Sequence, residues 1–130
     1  MDSRLYLIDS CVIIAYFRKD ERDHAKAVKW IEELEEFVIS DYILAEVATT
    51  LRNKEGLDVA EKALRYLVFN ENIKVMRITE EELGETIAFF MQNGEKISFI
   101  DASLLVMSKA RRVTTVSFDK DLVRAGALLH

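Results

Sequence analysis

Proline is absent from this sequence, cysteine and tryptophan occur once each, histidine twice and glycine four times in 130 residues. With no proline and only scattered glycines, there is no material for a Pro-rich or Gly/Ser-rich linker, and no repeat or low-complexity tract breaks the chain. A single domain over residues 1–130 is expected, at a length common for one hydrophobic core. The lone Cys11 excludes an intramolecular disulfide and a thiolate-rich metal site. A catalytic thiol would need a histidine base, yet His24 lies in a charge-rich segment and His130 is the final residue. The simpler reading of Cys11 is a small buried hydrophobe. No run of about 20 apolar residues occurs, so no segment is expected to cross a bilayer. The run Leu5-Tyr6-Leu7-Ile8 is too short for a signal-peptide core, and a cytoplasmic location is the expectation. Basic charge is also short: 18 Lys and Arg against 23 Asp and Glu leave a formal charge of −5. Phosphate binding rests on Lys and Arg, so this balance argues against nucleic acid unless several acids share one pocket and divalent cations neutralise them.

What is present is an alternation of short apolar runs with longer helical patterns. Leu5 to Ile8 reads as a buried strand meeting a helix at Asp9-Ser10, with Cys11 to Phe17 helical. Asp20 or Asp23 is placed to cap a second helix to about Glu36, with Ala27, Trp30, Ile31 and Leu34 on one face. Phe37-Val38-Ile39-Ser40 predicts a strand, followed by a helix from Asp41 to Lys54 and another from Leu57 to Phe69. Ile73 to Met76 predicts a third strand, and Thr79 with Glu82 forms a capping box for a helix to Gln92. An apolar helix from Ser98 to Ala110, a strand Val113–Val116, a short helix Phe118–Ala125 and a last edge strand at Ala127-Leu128-Leu129 complete the reading. Strands alternating with helices imply crossovers, and hence an α/β fold whose central sheet of four or five strands is mainly parallel and covered on both faces. Ligands bind such sheets outside the carboxyl ends of the strands.

Four acids fall at that edge. Asp9 follows the first strand, Glu46 lies early in the helix after the second, Asp101 sits in the first turn of the apolar helix, and Asp119 follows the fourth strand. Each has a plain structural reading. Asp9 is a ready N-cap; Ser98-Phe99-Ile100-Asp101 has the shape of a capping box with Asp for Glu; Asp119 and Asp121 suit the positive end of a helix. Glu46 is harder to explain away, because a carboxylate beside an apolar helix face is costly unless paired, metal-bound or reaching solvent. Their common placement favours chemistry. Mg2+ and Mn2+ prefer carboxylate and water oxygens, and facing acids repel one another unless cations bind. Such cations activate water and stabilise the attacking and leaving oxygens of a displacement at phosphorus. A metal-dependent nuclease is therefore expected.

These residues resemble the PIN domain, particularly the VapC-type toxins of toxin–antitoxin pairs, over essentially the whole chain. Leu7-Ile8-Asp9-Ser10 resembles the family's opening strand, Ile43-Leu44-Ala45-Glu46-Val47 its glutamate helix, Ser98-Phe99-Ile100-Asp101-Ala102 its third motif, and Ser117-Phe118-Asp119-Lys120-Asp121-Leu122 its closing motif. The resemblance implies a PIN-like three-layer α/β/α fold and a Mg2+ or Mn2+ site at Asp9, Glu46, Asp101 and Asp119. Of Asp119 and Asp121 the motif favours Asp119 as the one facing the metal, with Asp121 the candidate for a second ion, and Ser10 and Ser117 hold the acids by hydrogen bonds. It further implies RNA cleavage by a metal-activated water, a homodimer, and inhibition by a small antitoxin protein. Two departures stand out: Ser40-Asp41-Tyr42 occupies a place where many relatives have proline, and the segment after Gly126 is short.

Arg18, Lys19 and Arg22 form one basic group and Lys109, Arg111 and Arg112 another; of these, Arg18, Lys19, Arg22 and Arg112 are candidate phosphate contacts, against the reading of ordinary solvated charge. No aromatic platform for stacking bases is visible. A haloacid-dehalogenase-type phosphatase would want Asp-x-Asp where this chain has Asp9-Ser10-Cys11. A response-regulator receiver would place its phosphoacceptor after a later strand, but Arg77-Ile78-Thr79 follows Met76. A catalytically silent PIN-like module that only binds protein or RNA would be marked by loss of the acids, and none of the four is lost.

Overall fold

The order of the strands decides where a site forms. The computed structural model describes residues 5–124. In chain order it contains β1 (Tyr6–Ile8), α1 (Ser10–Phe17), α2 (His24–Glu33), β2 (Phe37–Ser40), α3 (Asp41–Glu55), α4 (Leu57–Phe69), β3 (Ile73–Met76), α5 (Glu80–Asn93), α6 (Phe99–Arg111), β4 (Thr114–Val116) and α7 (Lys120–Arg124). The four strands pair in the order β3-β2-β1-β4, every pair parallel. Leu7 sits opposite Val38 on one side and Thr115 on the other, and Phe37 to Ser40 run opposite Ile73 to Met76. The expected edge strand at Ala127-Leu128-Leu129 lies outside the described residues.

Parallel crossovers are right-handed. The chain steps from β1 to β2 to β3 in one direction, then returns across the sheet to β4. The two steps outward place α1 to α4 on one face, and the return places α5 and α6 on the other. The packing agrees: α1 lies against α2 and α3, α3 against α4, and α5 against α6. This is the three-layer α/β/α arrangement. With both faces covered, β2 is buried at all four positions. Leu7, Ile8, Ile39, Ile43, Leu51, Leu67, Leu104 and Met107 are fully enclosed. At the edge, β3 turns Lys74 and Val75 outward, and a lysine there discourages pairing with another strand.

Helix ends follow local chemistry. The Ser40 hydroxyl accepts from the Ile43 N–H and starts α3 without a proline, a cap worth about 1 kcal/mol. Gly56 separates α3 from α4 at φ 97°, where a side chain would be strained. The second helix is shorter than expected: Asp23 holds the N-cap position but its side chain makes no capping bond, and the Leu34 N–H closes the helix on Trp30. Asp20 instead faces Arg18 at 3.6 Å.

Thr79 and Glu82 form the expected capping box, and Arg111 extends it. The Arg111 guanidinium donates to both Glu82 carboxylate oxygens at 2.7 Å and to the Arg77 carbonyl at 2.6 Å. The last turn of α6 is thereby clamped to the first turn of α5, so Arg111 serves the fold rather than a basic surface. That hydrogen bonding to Arg111 holds the buried Glu82 carboxyl down at about 2, from an ordinary 4.5. A depressed carboxyl contributes stability in full above 4.5 and loses it as pH falls toward 2. Urea unfolding is expected to show wild type losing about 2–3 kcal/mol more than Glu82→Gln between about pH 5 and pH 2. Parallel pH profiles for the two proteins would contradict the clamp.

Candidate active site

Asp9 leaves the end of β1 at the centre of the sheet, and the β1–β4 ladder continues through it, its N–H bonded to the Val116 carbonyl at 3.0 Å. The next residue across is Ser117, whose hydroxyl donates to Asp9 Oδ2 at 2.6 Å across 108 residues of chain. Oδ1 accepts from the Ser10 N–H at 2.7 Å, capping α1, with the Ser10 hydroxyl at 3.5 Å. Capping and site-building therefore coexist in one carboxylate. Asp9 is only 4% exposed. Burial pushes its carboxyl above the usual 3.8; bonds from Ser117, Cys11 and Ser10 oppose the rise, and the charge of Asp119 adds to it. Cys11 donates its thiol to Asp9 at 3.4 Å. Burial and the Asp9 charge push that thiol up to about 12, so it stays protonated and is no nucleophile.

Ser117 also accepts from the Asp119 N–H at 2.9 Å, so one hydroxyl ties two acids together. Asp119 in turn accepts from the N–H groups of Asp121 and Leu122 and starts α7. Asp121 is exposed. Asp101 stands in the first turn of α6, where its N–H donates to the Ser98 hydroxyl at 3.0 Å. Burial, then the charges of Asp9 and Asp119, push its carboxyl up to about 6 from 3.8. Asp101 thus feels the charges of Asp9 and Asp119, and Asp9 that of Asp119, although the three come from separate segments of the chain.

Glu46 is half-buried on α3 and lines a groove of about 460 Å³ with Tyr42, Thr49, Thr50, Phe99 and Ile100, the last being the neighbour of Asp101. A second hollow of about 250 Å³ is lined by Ser10, Cys11, Thr50, Lys54 and Phe118 among others. None of Arg18, Lys19, Arg22 or Arg112 lines either hollow. Arg18 is held by Glu55 at 2.8 Å, Glu21 at 3.0 Å and Asp20 at 3.6 Å. Lys19, Arg22 and Arg112 are exposed. Sequence reasoning missed Tyr42, Phe99 and Lys54. The first two lie in different motifs, and their rings meet only across the groove, 6.2 Å apart. The signal for Lys54 was its spacing of eight from Glu46 on one helix.

The donor set suits a hard divalent cation. It consists of carboxylate oxygens whose mutual repulsion a cation relieves. Among the described residues no three acid, histidine or cysteine side chains converge into a ready cage, so an ion here would keep water ligands, as Mg2+ characteristically does.

A model of the PIN domain family matches residues 6–128. The chain belongs to the PIN domain family. Among solved structures, Mycobacterium tuberculosis VapC20, described as a sarcin–ricin loop cleaving toxin, is similar at TM-score 0.86 and 19% identity, with 95% of this chain and 96% of that one covered. VapBC2 from Rickettsia felis, bound to a fragment of its promoter DNA, gives 0.69 and 15%, covering 97% of each chain. FitAcB from Neisseria gonorrhoeae gives 0.69 and 16%, covering 96% of each. At these identities the likeness is one of fold. No curated protein sequence matches the chain.

The raised carboxyls of this PIN domain have a measurable consequence. A raised carboxyl costs no stability below 3.8, and the cost is complete above about 6. Without divalent ions, Asp101→Asn is expected to be more stable than wild type at pH 7, on the order of 1–2 kcal/mol after allowance for partial exposure. Near pH 4 the two should match. Thermal unfolding in EDTA measures the difference, and an equal gap at both pH values would count against charge repulsion as its source.

Proposed function

We propose that this PIN domain is a ribonuclease that hydrolyses RNA phosphodiester bonds with a metal-activated water, acting as the toxin of a type II toxin–antitoxin pair. The observation that carries the reading is the buried Asp9 carboxylate, fixed by Ser117 and raised together with Asp101 at the carboxyl ends of β1 and β4. Asp9, Glu46, Asp101 and Asp119 are the residues that would hold Mg2+ or Mn2+, with Asp121 the candidate for a second ion. When bound, the cation supplies an activated water and neutralises charge developing at phosphorus. The chain's own contributions are positional. Ser117 and Ser10 hold the Asp9 carboxylate in one orientation. Asp119 is oriented by the same Ser117 hydroxyl and by its cap of α7. Glu46 makes no hydrogen bond or ion pair among the described residues, which leaves it available to the site.

The proposed partners are an RNA substrate, a small antitoxin protein and a second copy of the chain, in a cytoplasmic setting. The described residues contain no helix long and apolar enough to cross a membrane. The antitoxin assignment draws on relatives solved as toxin–antitoxin complexes, among them one from Klebsiella pneumoniae. The homodimer is supported by exposed apolar side chains on α4 and α5: Leu57, Val68, Phe69, Ile87 and Met91.

RNA cleavage by the purified chain with Mg2+ or Mn2+, with EDTA and Asp9→Asn as controls, tests the reading. Asparagine keeps the α1 cap, so the variant should stay folded while cleavage is lost. The loss should exceed the roughly 10–100-fold expected for Ser117→Ala, which removes only a supporting hydrogen bond. Wild-type chain, freed of any inhibitor, that binds no divalent metal and cleaves no RNA would leave a binding module as the better description.

A further inference from the structure

On α3, Tyr42, Glu46, Thr50 and Lys54 recur every four residues and so share one stripe of the helix, about 18 Å from end to end. The stripe forms one wall of both hollows. Tyr42, Glu46 and Thr50 line the larger, and Thr50 and Lys54 line the smaller, so Thr50 joins them. Glu46 stands between the two ends, and the chain neighbours of Asp101 and Asp9, Ile100 and Ser10, line the larger and the smaller hollow.

The ends differ in chemistry. At one, the half-buried rings of Tyr42 and Phe99 lie 6.2 Å apart with a 40° tilt, and Phe90 braces Phe99 edge-on at 5.5 Å. Rings already held in place lose little freedom when a base stacks on them. At the other, Lys54 is exposed and makes no ion pair among the described residues. The acids that share its hollow are engaged elsewhere: Glu21 with Arg18 at 3.0 Å and Asp23 with Arg22 at 3.7 Å. Lys54 is therefore the unpaired cation beside Ser10, whereas Arg18, nearby in sequence, is committed to carboxylates.

An aromatic pair, a carboxylate site and a free lysine in series match the alternation of base and phosphate along a nucleic-acid strand. We propose that the α3 stripe is the track of a single-stranded RNA substrate, with a nucleobase stacked on Tyr42 and Phe99 and a phosphate held by Lys54. The proposal rests on the ribonuclease reading above and adds the path of the strand to it. A second copy of the chain is a poorer occupant, because a stable interface takes about 20–30 residues a side, whereas seven residues line one hollow and nine the other.

The test uses the full chain carrying Asp9→Asn, so that RNA survives the titration, with Mn2+ and a short oligoribonucleotide containing 2-aminopurine. Stacking quenches the probe's fluorescence. The quench is expected to disappear in Tyr42→Leu, with Kd rising about tenfold, and to persist in Tyr42→Phe. Lys54→Gln should raise Kd and reduce the slope of log affinity against log salt by about 0.7, the value for one phosphate contact on a single strand. If quench and salt slope are unchanged while cleavage by the parent chain still depends on Asp9, the track is wrong and the ribonuclease reading stands. A parent chain that neither binds nor cleaves RNA overturns both. If Tyr42→Leu weakens self-association or binding of a protein partner and leaves RNA binding intact, the groove belongs to a protein and the proposal fails.

Discussion

The bond from the Ser117 hydroxyl to the Asp9 carboxylate joins two chain segments 108 residues apart and completes a site that neither builds alone. It is possible because the β1–β4 ladder runs one residue beyond the strands, through the Asp9 N–H to the Val116 carbonyl. A carboxylate so deeply enclosed is tolerated only when hydrogen-bonded. Here Ser117, Ser10 and Cys11 all donate to it. The donors only partly offset burial, and the carboxyl remains raised. Perturbed carboxyls of this kind cluster at functional sites.

Topology explains why the acids gather there. In a parallel sheet every strand presents its carboxyl end at the same edge, and the crevice opens where the chain reverses its direction of travel across the sheet. The two neighbouring strands from which the chain leaves and to which it returns on opposite sides of the sheet are β1 and β4, so the switch point falls between them. Asp9 and Asp119 follow the two strands that flank it, α6 carries Asp101 within reach of their charge, and Glu46 on α3 lines the groove beside Ile100. The charges of Asp9 and Asp119 therefore raise the Asp101 carboxyl, and that of Asp119 raises Asp9, although the three share no local sequence.

Charge is managed differently elsewhere in the molecule. Arg111 is locked onto Glu82, and Arg18 is surrounded by Glu55, Glu21 and Asp20. Both guanidiniums hold elements together, one joining α6 to α5 and the other joining the end of α1 to the end of α3. The net charge of −5 is thus unevenly used. Arg18 and Arg111 are absorbed into the scaffold, and among the described residues Lys54, in the hollow beside Ser10, makes no ion pair. A polyanion can enter an acidic crevice only if cations neutralise it.

The sequence by itself determined the element pattern, because apolar runs, caps and breaks are local signals. Ser40, Thr79, Ser98 and Gly56 mark helix ends through contacts within a few residues. The capping box at Thr79 and the strand–acid junctions at Asp9 and Asp119 were legible for the same reason. The shorter second helix was not, since Asp23 carries the right residue type in a backbone conformation that gives its side chain no capping bond. Only the tertiary structure decided which side chains meet. Arg18 and Arg111 look like surface charge in the sequence, yet each spends its donors on a distant carboxylate. Tyr42 and Phe99 reveal no stacking surface until α3 and α6 converge from opposite layers. Contacts of that kind depend on strand order and crossover direction, and a linear pattern of hydrophobic and polar residues does not encode them locally.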